Sequence, residues 1–289
     1  MQIRILKWLL VTGFLFSLHI TEVWTVYAND EPLVYVAQER STAVIQDDPK
    51  EDLPDPDEGI ENSGRKIQQP VDLRILQQRY PDIFFLQGPT DQKRIALTFD
   101  DGPDPRFSND VLDVLKQYNV PATFFVLGSK AVANADIVKR MQNDGHVIGN
   151  HTYSHPNLVI ESDLQTLERE VTRTEDALNG IIGYRTELFR PPYGFLYNEL
   201  VEKLGEINNY VIGWSVDSLD WQEDSPEVIT SRVVGNIQPG SIILMHDGSE
   251  PSGDRTNTIK SLRQIIPALQ EQGYEFVTVP ELLNIPYKK

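Results

Sequence analysis

The chain of 289 residues contains no cysteine. That excludes disulfides, thiolate metal sites and cysteine nucleophiles, and it suits a bacterial-type exported protein as well as a cytosolic one. Runs of basic residues are also missing: 26 Lys and Arg stand against 43 Asp and Glu, a formal net charge of -17. Nucleic acid and anionic membrane both reward clustered Lys and Arg, so neither is expected as the main partner. Long apolar runs are scarce as well. The most apolar segment, near the amino terminus, is short for the ~20 residues that span a bilayer. What remains is a chain that is 40% hydrophobic, enough for one large core or two small ones.

The compartment is read from the first residues, "MQIRILKWLLVTGFLFSLHITEVWTVYAND". Arg4 and Lys7 form a positive start, Trp8 to Leu18 an apolar stretch of signal-peptide length, and Val26-Tyr27-Ala28 a small-x-small cleavage site. Residues 1–28 therefore read as an export signal, with a retained membrane anchor as the alternative. The expected localisation is secreted or in the cell wall, with membrane contact only through that segment. Residues 29–90 follow as an acidic, Pro-rich extension. Its centre, Gln46 to Gly64, has almost no apolar side chains with which to offset the entropy lost on ordering, and reads as a linker. Leu33 to Ile45 is expected to form a strand or a fraying helix, and Val71 to Leu86 to pack against the domain after it.

From Arg94 onward a regular pattern sets in. Apolar runs "RIALTF", "ATFFVL", "HVIGN", "ELF", "YVIGWSV", "SIILM" and "YEFVTV" alternate with amphipathic stretches. The clearest of these is Glu161 to Ile182, where Leu164, Leu167, Val171, Leu178 and Ile182 fall near one face of a helix. Ser225-Pro226 opens another with a cap residue and a Pro at its first position. Apolar strands alternating with helices indicate a parallel α/β sheet covered on both sides, and seven such units indicate a closed or nearly closed barrel.

Polar residues follow strand after strand. Asp100 and Asp101 come after the first, His151 and His155 after the third, "RPPYG" after the fourth, "DSLDW" after the fifth and "HDG" after the sixth. In a parallel barrel those ends open on one face, where barrel enzymes assemble their sites. The spacing His151-x-x-x-His155 puts two imidazoles on one side of a helical turn, able to share a metal, with Pro156 ending the turn. Two His and one carboxylate suit a borderline divalent ion such as zinc. Non-haem iron oxygenases use the same set, but on a double-sheet β framework, so hydrolysis is the better reading. One Asp would then ligate the metal and the other take a proton from the attacking water. His146, preceding its strand, is expected to be structural or on the surface.

In this order, TFDDGP, H-x-x-x-H, RPPYG, D-x-x-D-W and L-x-H-D resemble the motifs of the polysaccharide deacetylases with a NodB-homology domain, carbohydrate esterase family 4. The resemblance covers about two-thirds of the chain and implies a distorted (β/α)7 TIM-like barrel over residues 91–287. It implies Asp100 as general base, and Asp101, His151 and His155 as ligands of a divalent metal, zinc first, with cobalt, manganese or nickel also accommodated. It further implies that Arg190 pairs with Asp100, that the Tyr193 backbone N–H stabilises an oxyanion, that His246 is a general acid tuned by Asp220, and that Trp221 and Leu244 wall an acetyl pocket. The expected activity is N-deacetylation of an amino-sugar polymer by metal-activated water attack, in a monomer, with peptidoglycan as first choice. Chitin or poly-N-acetylglucosamine, O-acetyl esterase action on acetylxylan, and an inactive wall-binding module are the alternatives.

Overall fold

The computed structural model describes the backbone of residues 5–14, 17–28 and 31–36, and residues 69–160 and 163–289 with their side chains. The chain divides into two units, Met1–Gly64 and Arg65–Lys289. In the first, β1 (Ile5–Phe14), β2 (Ser17–Ala28) and β3 (Glu31–Val36) pair antiparallel in that order. β3 thus makes the start of the Leu33–Ile45 stretch a strand. The remainder of that stretch, the expected Gln46–Gly64 linker and the first two residues of the expected Glu161–Ile182 helix lie outside the described residues. Among the described residues no helix is long and apolar enough to cross a membrane.

The second unit runs α1 (Leu73–Arg79), β4 (Phe84–Phe85), β5 (Arg94–Asp100), α2 (Ser108–Tyr118), β6 (Thr123–Val126), α3 (Gly128–Ala133), α4 (Ala135–Asn143), β7 (Val147–Asn150), α5 (Leu164–Ile182), β8 (Leu188–Phe189), α6 (Asn198–Glu206), β9 (Tyr210–Ile212), β10 (Val216–Asp217), α7 (Pro226–Asn236), β11 (Ile242–His246), α8 (Thr256–Glu271), β12 (Glu275–Val277) and α9 (Val279–Leu283). Nine strands form one sheet in the order β10-β11-β5-β6-β7-β8-β9-β4, with β12 added beside the start of β5. Every strand pair in it is parallel. The sheet curls into a half-barrel. Just past β4, Gln87 bridges Ser241, just before β11, and so links the two sides of the sheet. The expected barrel of alternating strands and helices is what forms.

All seven expected strands are present, with two refinements. "YVIGWSV" is broken at Gly213–Ser215 into β9 and β10, and β4, Phe84–Phe85, adds a strand that the short aromatic pair did not advertise. Alternation along β5 sets the site. Ile95, Leu97 and Phe99 point into the layer beneath the outer helices, while Ala96 joins Phe125, Leu188, Ile212 and Ile242 in the inner cluster. Two-residue periodicity therefore turns Thr98 and Asp100 inward as well, at the end of the strand. On α5, Leu167, Val171, Leu178 and Ile182 are buried as expected, but Leu164, in its first turn, is 40% exposed. Ser225 occupies the cap position of α7 and Pro226 its first turn, without a side-chain cap bond.

The segment before the barrel belongs to it. Leu76 of α1 is fully buried with Leu200 and Leu204 of α6, Val71 N–H donates to the Leu196 carbonyl at 2.8 Å, and Arg79 bonds the Asn198 side chain. Val71 to Leu86 thus packs as the sequence suggested, against the elements that follow the RPPYG loop.

Candidate active site

Where β5 ends, Asp101 takes a left-handed backbone (φ 71°), which swings its carboxyl away from that of Asp100. The turn that follows is closed from the other side by β11. A Cβ on Gly102 would lie 2.2 Å from Asp247 Oδ2, and one on Gly248 would lie 2.2 Å from the Asp101 carbonyl oxygen, so both positions require glycine. Lys130 Nζ donates to that same carbonyl at 3.0 Å.

The His151–His155 stretch is not the helical turn that its spacing suggested. Thr152 and His155 both have positive φ (70° and 63°), and local side chains replace helical hydrogen bonds. Asn150 Oδ1 accepts from Thr152 N–H, Glu170 Oε2 from the N–H groups of Tyr153 and Ser154, and Thr152 Oγ1 from His155 N–H. The rings still converge, with centroids 5.1 Å apart. Ligand atoms of Asp101, His151 and His155 all lie within 4.8 Å of one another.

This trio fits a metal. His151 Nδ1 is 2.7 Å from the Arg190 carbonyl, a contact that needs the proton on Nδ1 and leaves a lone pair on Nε2. That lone pair faces Asp101 Oδ1 at 3.4 Å, and His155 Nε2 faces the same oxygen at 3.3 Å. Asp101 Oδ1 is buried without a hydrogen-bond partner among the described residues. Three converging lone pairs call for a cation between them.

Asp100 is held apart from this trio. Its Oδ1 accepts from Arg190 Nη1 at 2.8 Å, and its Oδ2 is 3.9 Å from His151 Nε2. Arg190, whose pairing with Asp100 the resemblance implied, is fully buried in the barrel. Its other donors go to Thr98 Oγ1 and the carbonyls of Ile212 and Gly213, and its plane lies over the Phe125 ring at 4.1 Å. Burial draws its pKa below the usual guanidinium value, and Asp100 opposes that pull. A fork so completely occupied fixes the Asp100 carboxylate in one orientation.

On the other side stands a His–Asp pair. Asp220 Oδ1 is 2.7 Å from His246 Nδ1, while Oδ2 accepts from the His246 N–H and the Thr258 hydroxyl. Burial would lower the imidazole's pKa, but Asp220, with Asp101 and Asp100 behind it, lifts it to about 9. Burial likewise disfavours the Asp220 anion, and His246 more than offsets this, lowering its pKa. At neutral pH the pair is an imidazolium beside a carboxylate, a proton donor ready for use.

Asp100, Asp101, His151, His155 and His246 line one cavity of about 1160 Å³ together with Tyr193, Trp221 and Leu244, while Arg190 and Asp220 stand behind its wall. Leu244 is buried in β11, Trp221 is 50% exposed at the rim, and Tyr193 sits at φ 60° in the turn Pro192–Gly194. Sequence reasoning assigned no role to two further acids. Asp217, the first Asp of D-x-x-D-W, also lines the cavity, and burial raises its carboxyl. Asp247 is fully buried, accepts from the Ser108 hydroxyl, and is pushed up to about 7 by burial. Both stood inside motifs already recognised, which was the signal available. The structure thus brings together all ten residues singled out in the sequence, with the His pair carried by a loop rather than a helical turn.

The polysaccharide deacetylase family model matches residues 87–212. Over 201 residues the chain is 45% identical to a peptidoglycan-N-acetylglucosamine deacetylase of Bacillus cereus, covering 70% of this chain and 72% of that protein. It is 32% identical over 220 residues to a chitooligosaccharide deacetylase of Bradyrhizobium sp., covering 73% of this chain and 98% of the other. The crystal structure of the Bc1960 peptidoglycan N-acetylglucosamine deacetylase in complex with 4-naphthalen-1-yl-N-oxidanyl-benzamide superposes with a TM-score of 0.68 at 44% identity, covering 71% of this chain and 94% of that one. Likeness of this degree, over the strand ends that carry the two carboxylates and the imidazoles, makes the chain a member of the polysaccharide deacetylases of carbohydrate esterase family 4.

Proposed function

We propose that this enzyme removes N-acetyl groups from an amino-sugar polymer, peptidoglycan before chitin-like glycans, and does so outside the cytoplasm. The observation that carries the reading is the division of labour in the cavity. A ligand trio, Asp101, His151 and His155, stands beside a separate carboxylate fixed by Arg190 and a separate imidazolium fixed by Asp220. Peptidoglycan is preferred because the 45% identical Bacillus cereus protein is named for that substrate, and export because of the positive, apolar, small-x-small series at residues 4–28.

The two imidazoles and one carboxylate suit zinc, leaving positions open for water and substrate. When bound, such an ion supplies a Lewis acid that polarises the acetyl carbonyl and lowers the pKa of water. Asp100, held in place by Arg190, takes the proton of the attacking water. His246 gives its proton to the amide nitrogen, so that acetate leaves and the sugar retains a free amine. Tyr193 N–H is the donor assigned to the developing oxyanion, and Trp221 with Leu244 bounds the acetyl methyl.

Acetate released from intact peptidoglycan, chitohexaose and acetylxylan by the purified protein tests this reading. Release from peptidoglycan in excess of the other two supports it. Release from acetylxylan alone would make the enzyme an O-acetyl esterase, and release from none would refute the deacetylase assignment.

A further inference from the structure

Besides Trp221, two large aromatic rings stand exposed on the rim of the cavity. Tyr193 is 57% exposed and Phe195 39%. The contacts run in series: the His155 and Tyr193 rings meet edge-on with centroids 4.7 Å apart, and Tyr193 and Phe195 lie 5.9 Å apart with their planes inclined by 33°. Both line the cavity that holds the ligand trio. No step of the chemistry above uses either ring.

The loop that presents them is stiff. Gly194 N–H and Phe195 N–H donate to the carbonyls of Pro191 and Pro192, and Leu196 is tied to Val71. Gly194 is pressed from below, since a Cβ there would lie 2.9 Å from the Trp214 ring. Rings fixed in this way lose little freedom when a ligand covers them. The cavity is also larger than an acetamide requires. Its volume of about 1160 Å³ exceeds the roughly 300–1,000 Å³ of common small-molecule sites.

We propose that Tyr193 and Phe195 form a stacking platform for a pyranose ring of the glycan, the unit adjoining the sugar whose acetamido group reaches the ligand trio. The faces of a pyranose chair are made of C–H groups, while its hydroxyls lie at the edge. An aromatic face covers the former and leaves the latter in water. Phe195 has no polar atom, so it recognises the ring face and not a particular hydroxyl. Its contribution is to hold a polymer, as opposed to a single acetylated group. The inference rests on the reading that the substrate is a glycan.

The test uses the full-length, zinc-loaded protein with two probes, a β-1,4-linked N-acetylglucosamine hexamer and 4-nitrophenyl acetate, which reports on the chemistry without a sugar. Phe195→Ala should raise KM for the hexamer, and Kd by calorimetry, about 3- to 10-fold. It should leave kcat and the turnover of 4-nitrophenyl acetate unchanged, and Phe195→Trp should restore the wild-type KM. If KM and Kd for the hexamer are the same in Phe195→Ala as in the wild type, the platform is refuted and the deacetylase reading stands. An equal loss on both probes also refutes it, because the residue would then act through the loop. If the wild type binds the hexamer through Phe195 but releases acetate neither from it nor from peptidoglycan, the deacetylase reading falls and the platform stands. Absence of hexamer binding together with absence of release from both glycans overturns both.

Discussion

Removing the charge of Asp220 isolates what makes His246 a proton donor. In the wild type the imidazole sits 2.7 Å from a carboxylate that is 1% exposed, and its pKa is lifted from 6.5 to about 9. That difference corresponds to about 3 kcal/mol. The sign follows from a raised folded-state pKa: the stabilisation is complete below 6.5 and is lost as the pH rises through about 9. Asp220→Asn keeps an acceptor for the Thr258 hydroxyl or the His246 N–H but loses the attraction, so the imidazole returns toward its ordinary value. At pH 8 the protonated fraction then falls from about nine-tenths to about one-thirtieth, whereas at pH 6 it stays above about two-thirds. The expected result is a loss of roughly 30-fold in kcat at pH 8 that shrinks to within about twofold at pH 6, with the alkaline limb of the rate profile moved down by about 2.5 pH units. Initial rates of acetate release across this range measure it. An alkaline limb that stays near 9, or a loss equal at both pH values, would refute the assignment of His246 as an acid set by Asp220.

Other outcomes follow from groups outside the reaction. His146 is buried, accepts from Ala122 N–H at Nδ1 and has no partner for Nε2 among the described residues; burial lowers its pKa to about 4. Here the folded value lies below the unfolded one, so stability is full above about 6.5 and falls by about 3 kcal/mol as the pH drops toward 4. Urea titrations of His146→Phe at pH 7 and pH 4 should show a smaller difference than the wild type does. Gly248→Ala would drive a Cβ into the Asp101 carbonyl, a backbone atom that cannot rotate away, and should cost about 1–3 kcal/mol or more in denaturant stability. Leu76→Ala should cost about 2–5 kcal/mol although it lies ahead of the family match, because its side chain is buried against α6; equal stability would show that α1 is dispensable.

What the sequence disclosed depended on how local the cause was. Strands read as apolar runs because both faces of a parallel sheet are covered, and Asp100 was placed correctly because it ends such a run. The His151–His155 spacing led to a helical turn because i, i+4 is the commonest way to bring two imidazoles together. The actual loop is set by Asn150 and by Glu170, the latter 15 residues beyond His155 and on another element. The pairing of Arg190 with Asp100 came only through the family resemblance, since its acceptors are contributed by β5 and by the carbonyls of Ile212 and Gly213, far from it in sequence. β4 carries only two paired residues and no periodicity, so it emerges only from its partner β9.

In the proposed mechanism the two neighbouring carboxylates do different work, Asp101 holding the metal and Asp100 taking the proton. Zinc content by elemental analysis, measured beside the rate of acetate release for Asp100→Asn and Asp101→Asn, tests it directly. Asp100→Asn should keep its zinc, because Asp101, His151 and His155 are untouched, and lose about 100- to 10,000-fold in rate. Asp101→Asn should bind zinc weakly and recover part of its activity in excess zinc. Zinc lost from Asp100→Asn and retained by Asp101→Asn would contradict the account.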